Sequence, residues 1–262
     1  QVKALTKAQA AALSSAQINA LAGDLQKMDT AQVAALNASA LSGVTTAQLA
    51  TLTSTQLQAL TDVQIKALTT AQVNSMTTDT LVTLTTLQAR SLTADQINAL
   101  GTAKLAKMEA VDVGAFNATA VRGMSTAQIG ALTSAQASTL NASQMGSLTS
   151  AQLNALADGS LTKLSSAQVA AINNDALAGM TAGQVAKLTT DQIKGLTGAQ
   201  LARLSTGTVQ ALTSDQVKTL SASQLQAMSF DQLNALDTVD IAAMGTAQIV
   251  ALKADQIGRL ST

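Results

Sequence analysis

The chain has no cysteine, histidine, proline, tryptophan or tyrosine, and only two phenylalanines. Without cysteine it can form neither disulfides nor thiolate metal sites; that absence fits an exported and a cytosolic protein equally. Without histidine it lacks the side chain most often used for proton transfer near neutral pH. Charge is also scarce, at 11% of residues, with 15 basic side chains against 15 acidic ones. A neutral chain has no electrostatic footprint for nucleic acid or for an anionic membrane. No apolar run reaches the roughly 18–20 residues of a membrane span. No glycine-rich phosphate loop and no signal peptide is visible. The chain opens in mid-phrase at Gln1-Val2 and closes at Ser261-Thr262, so we read residues 1–262 as a single array cut from a longer one, with any targeting segment outside it.

What is present is one phrase, repeated. The hydrophobic fraction of 47% is almost wholly Ala, Leu, Val, Ile and Met. A large apolar residue recurs at Met28, Leu36, Val44, Leu52 and Leu60, and onward every eight residues to Leu260. Leu5, Leu13 and Leu21 precede it, and the step of seven from Leu21 to Met28 is the only slip. Three residues before each closing position sits a second apolar residue, such as Ile65, Val73 or Ile257. Only Ala10, Ala89 and Ala137 fall to alanine there. The consensus is [Thr/Ser/Asn]-x-[Ala/Asp]-Gln-[Ile/Val/Leu]-x-[Ala/small]-Leu, in 33 copies counting partial ones.

A period of eight fits no single regular element. In a continuous α-helix, eight residues turn through about 800°, so each apolar pair rotates about 80° from the last. A strand needs alternation at two, and the pair is spaced at three. A helix that restarts in every copy does fit. The residue after the closing position is Thr, Ser, Asn or Asp in all copies but Ala22, Gly101, Glu109, Ala157, Gly245 and Lys253. These are helix N-cap residues. Gln three residues later completes a capping box, and the flanking apolar pair makes a hydrophobic staple. Leu188, Thr189, Gln192 and Ile193 form one such start, and Leu196 opens the next. Asp95, Asp191, Asp215, Asp231 and Asp255 stand where the helix dipole favours an anion.

Each octapeptide is then about a turn and a half of helix, with the capping residue extended. Helices this short are unstable alone. They persist only if they stack and bury their apolar pairs in one seam. The fold predicted is an all-α solenoid of about 33 short helices, one per repeat. Small residues before the closing position (Ala35, Ala59, Ala67, Ala99, Gly123, Gly179, Gly195) would let helices approach closely.

Some copies replace the Gln, with Asp24, Ala40, Thr80, Lys104, Asp112, Ala120, Ser160, Ala176, Thr208 and Asp240. Positions 40, 80, 120, 160 and 240 fall on a 40-residue ladder that Gln200 breaks, and LNASALSGVTTAQ (36–48) is nearly copied as FNATAVRGMSTAQ (116–128). The ladder marks either a lateral edge or drift and duplication; the second is the simpler account. Asn37, Asn117 and Asn141 head N-glycosylation sequons but occupy the cap position, where Asn is favoured anyway. Asp112 and Asp240 read as substitute capping acceptors, since the oxygen ligands and glycine turn of a calcium loop are missing. Met28, Met76, Met108, Met124, Met180, Met228 and Met244 fill the closing slot as core. Lys187, Lys194 and Arg203 are solubilising surface.

No catalytic, cofactor-binding or metal-binding residue is expected. The chain resembles the LTTAQ-[VI]-x-AL octapeptide arrays of large repetitive surface or secreted proteins of Gram-negative bacteria, along its whole length, as in AQLATLTSTQLQALTDVQIKALTTAQV (47–73). The resemblance implies a cell-surface or extracellular setting, with adhesion or filament formation, and no catalytic residues. The expected role is a structural rod or filament element that self-associates. The alternative is a repetitive module binding a polysaccharide or other periodic surface. Against it, Thr and Gln are committed to capping, and the slots left free vary (Lys66, Asn74, Val82, Arg90, Asn98, Ala106, Gly114). A repeat reader of nucleic acid is disfavoured by the neutral charge.

Overall fold

A computed structural model describes residues 2–260. Among them are 31 α-helices and two 3-10 helices, and no strand. The 33 elements match the 33 phrases. The seven-residue copy forms the 3-10 helix Ala22–Lys27, the tighter winding that a missing residue demands. By their internal packing the residues divide into two compact units, 1–128 and 129–262.

The helix Thr190–Gly195 shows how a copy folds. Thr189 is extended, at φ −69° and ψ 159°. Its hydroxyl accepts from the Gln192 N–H at 3.2 Å, and the Gln192 Oε1 accepts from the Thr189 N–H at 2.8 Å. The helix closes where the Leu196 N–H donates to the Ile193 carbonyl three residues back. This tight bond recurs in copy after copy. The backbone break is longer than the one extended residue the sequence suggested. Leu188, at φ −59° and ψ 138°, is extended together with Thr189. Swinging the closing Leu out of the helix turns its side chain into the seam, where it is 4% exposed.

The seam has an inner and an outer row. The second apolar slot is the inner one: Ile65, Val73, Leu81, Ile97 and Ile193 are fully buried, as are Ala10, Ala89 and Ala137. The closing slot, with all seven of its methionines, lies just outside it.

Helices stack on those three places away. In the first unit Asp62–Ala67 packs on Ala38–Ser42 and on Thr86–Ser91; in the second, Ser166–Ala170 packs on Thr190–Gly195. The small residue before the closing position sits at these contacts. A methyl group added to Gly195 would lie 2.8 Å from both the Cβ and the carbonyl oxygen of Ser166, and one on Gly179 would lie 2.4 Å from Ser150 Cβ. This stacking also removes the ladder of Gln replacements as an edge. Ala38–Ser42, which carries Ala40, packs on Ser15–Ala20 and Asp62–Ala67. The structural stride is three phrases rather than five, because a turn closes after three helices and part of a fourth.

Candidate functional site

The feature most strongly built into the molecule is a ladder of glutamine amides rather than a pocket. A helix of six residues or fewer leaves most of its backbone groups without an internal partner, donors at the start and acceptors at the end. The Gln at the third helical position serves both ends. In the first unit, the Gln64 Oε1 accepts from the Thr61 N–H of its own helix at 2.7 Å. The Gln64 Nε2 donates to the carbonyls of Leu36, at 2.7 Å, and Val33, at 3.0 Å. Val33 lies in the last turn of the helix Thr30–Ala35, one turn earlier, and Leu36 caps its end. Gln96 bonds Ile65 and Leu68 in the same way, and Gln128 bonds Ile97 and Leu100. The second unit repeats the pattern: Gln192 donates to Leu161 and Leu164, and Gln224 to Ile193 and Leu196. Each bond spans 28 or 31 residues. A lesser set of surface amides reaches 25 residues forward, such as Gln58 to the Thr83 carbonyl and Asn154 to that of Gly179. Atoms one turn apart are thus separated by between three and four phrases.

The sequence suggested that this Gln was committed to capping alone. That account covers only its oxygen. The missed signal was the identity of the side chain. Glutamate serves a capping box as well as glutamine does, yet none of the 33 copies has Glu at this position. A carboxylate accepts but cannot donate, and the earlier turn presents two acceptors.

Four of the copies without Gln supply a donor by another route. In Asn117…Ala120, the Asn117 Oδ1 accepts from the Ala120 N–H at 2.8 Å and its Nδ2 donates to the Leu92 carbonyl at 3.4 Å. In Asn173…Ala176, the Asn173 Nδ2 reaches the Leu148 carbonyl at 2.7 Å. Leu92 and Leu148 hold the closing-slot carbonyls that a Gln at position 120 or 176 would meet by the pattern above. The amide has moved from the third helical position to the cap. Lys104 donates to the Asn74 carbonyl, and Ser160 to that of Leu132 at 3.3 Å. The sequon residues Asn37, Asn117 and Asn141 are caps whose Oδ1 accepts a backbone N–H.

Asp112 and Asp240 invert the rung. Each caps nothing; Asp240 instead accepts from the Ser214 hydroxyl at 2.8 Å, and Asp112 from Thr86. Both are buried. Burial pushes the Asp112 carboxyl above the usual carboxylate range, Glu109 adds to the rise, and the Thr86 hydroxyl opposes it. A carboxyl raised on folding takes up its proton in the folded state first. Its contribution therefore favours folding as pH falls, and is lost as pH rises through the carboxylate range and beyond. Asp112→Asn, which keeps the shape and removes the charge, is expected to stabilise the chain by about 1 kcal/mol near pH 7 and by much less near pH 4. Urea titrations of both proteins at the two pH values check this.

No group of three or more acidic residues that could hold a metal ion occurs among the described residues, and no helix among them is long and apolar enough to cross a membrane. The family model described as the ALTTAQ repeat matches residues 46–78, 105–142 and 227–262. Over those three stretches the chain is similar to the ALTTAQ repeat. Those stretches include the rungs Gln56, Gln64, Gln72, Gln128, Gln232 and Gln256, so the ALTTAQ phrase is the unit that builds the ladder. The Gln that closes the family's name is the residue whose amide crosses between turns. No curated protein sequence matches the chain.

Proposed function

We propose that the chain is a structural element of a larger cell-surface or extracellular protein. In that role the number of ALTTAQ repeats sets a length and copies associate through their sides. The observation that carries this is the internal use of the repeat's chemistry. Thr caps its own helix, Gln bonds its own helix and the previous turn, and the apolar pair fills the seam. Every strongly repeated side chain is engaged in extending the array, which is what a spacer requires. A receptor for a periodic surface needs instead a repeated side chain facing outward, and the outward slots vary.

Immunogold electron microscopy of cells making the full-length protein, using antibody raised against this chain, tests the setting. Label on the outer surface or in shed material is the expected result. Label confined to the cell interior would overturn it.

A further inference from the structure

The exposed large apolar residues among the described ones are few. Ile249, Val250 and Ile257 lie in Thr246–Ala251 and Ala254–Ile257, and the other four, Val63, Leu87, Val111 and Val239, occupy the second helical position. Elsewhere that slot holds Ala, Asp, Ser, Thr or Gly. Val239 stands alone. Val63, Leu87 and Val111 do not: they are three phrases apart, on Asp62–Ala67, Thr86–Ser91 and Ala110–Ala115, and each of these helices packs on the next. The three side chains, 67%, 66% and 57% exposed, therefore form one aliphatic stripe on the first unit. With helices packed about 8–10 Å apart it is roughly 20 Å long.

The stripe has two charged rims. Asp62 and Glu109 stand at the N-terminal ends of their helices, and Lys66 and Arg90 lie one turn further along theirs. All four are exposed, and none is in an ion pair. A twofold axis parallel to the stripe lays it on its own copy and exchanges the rims. The acidic rim of one chain then faces the basic rim of the other, twice. Such self-complementarity is what an isologous contact requires. With two charges of each sign, the surface offers nothing to a polyanion or an anionic membrane.

We infer that the Val63–Leu87–Val111 stripe is a side-to-side contact between two copies of this chain, related by a twofold axis along the stack. It deepens the structural reading above and rests on its lateral association. Three aliphatic side chains with a charged border make a small interface, so the dissociation constant expected is on the order of 100 µM.

Sedimentation equilibrium of the purified chain from about 5 to about 500 µM tests it. The wild type is expected to approach dimer mass, and Leu87→Glu to remain monomeric throughout. Lys66→Glu/Arg90→Glu makes both rims acidic, and Asp62→Lys/Glu109→Lys makes both basic. Each double variant is expected to be monomeric alone, and their mixture to recover a dimer. Misfolded chains could not rescue one another in this way. A wild type that stays monomeric overturns the inference, as does Leu87→Glu associating like wild type or a mixture that fails to recover. A monomeric wild type leaves surface labelling untouched, so loss of the contact and loss of the surface setting are separate results.

Discussion

Gln192→Glu is expected to cost the second unit about 3–5 kcal/mol at neutral pH while leaving its helix start intact. A glutamate oxygen still accepts from the Thr189 N–H, so the capping box survives. What disappears is the donation to Leu161 and Leu164, at 2.8 and 2.7 Å. Two lost bonds account for about 2 kcal/mol. The rest comes from a charge facing two carbonyl oxygens at a site 1% exposed. That environment raises the new carboxyl's folded pKa above its unfolded value, so the loss shrinks as pH falls and the protonated acid donates again. Gln9→Glu is the control. Gln9 is exposed and makes only the local bonds with Thr6, so its substitution is expected to cost less than about 0.5 kcal/mol. Long arrays need not unfold in one step. The readout is therefore urea titration combined with amide exchange at Ile193 and Leu196.

The second large effect is in the seam. Leu161 is fully buried in the inner row, and Leu161→Ala is expected to cost about 2–5 kcal/mol through lost burial and the cavity left behind. Leu87→Ala, removing as many atoms from an exposed position, is expected to change stability by less than about 0.5 kcal/mol. Ala89 and Ala137 occupy the inner row naturally, so the variant should keep the fold and lose only stability. The Leu161 carbonyl also accepts from Gln192. Leu161→Ala combined with Gln192→Met should therefore cost less than the two single losses added, because each already loosens the same contact. Urea titration of the two single variants, the double variant and the wild type decides it.

Much of this was legible in the sequence because it is local. Thr189 and Gln192 signal a helix start within one short phrase, Leu188 and Ile193 define the seam beside it, and the short step from Leu21 to Met28 marks the copy that winds as the 3-10 helix Ala22–Lys27. The pitch was not legible. Every phrase is nearly identical, so nothing in the chain marks which earlier phrase a Gln will meet. That choice is made by packing against a turn that lies between three and four phrases back. The recurrence of replaced Gln positions every fifth phrase drew attention to the wrong stride, since stacking runs at every third. The stride was written elsewhere, in Val63, Leu87 and Val111, at a slot the consensus treats as filler. The exchange of Gln for a capping Asn was also present. Asn117 and Asn173 pair with Ala120 and Ala176, but the pairing has meaning only once an amide is known to be needed by the previous turn.

The central claim is that glutamine amides hold successive turns together. Hydrogen exchange of the glutamine side-chain amides, followed by solution NMR, addresses it most directly. Slow exchange is expected for the Nε2 protons of buried rungs such as Gln64, Gln96, Gln192 and Gln224, and fast exchange for the exposed Gln9. Uniformly fast exchange at all of them would contradict the ladder.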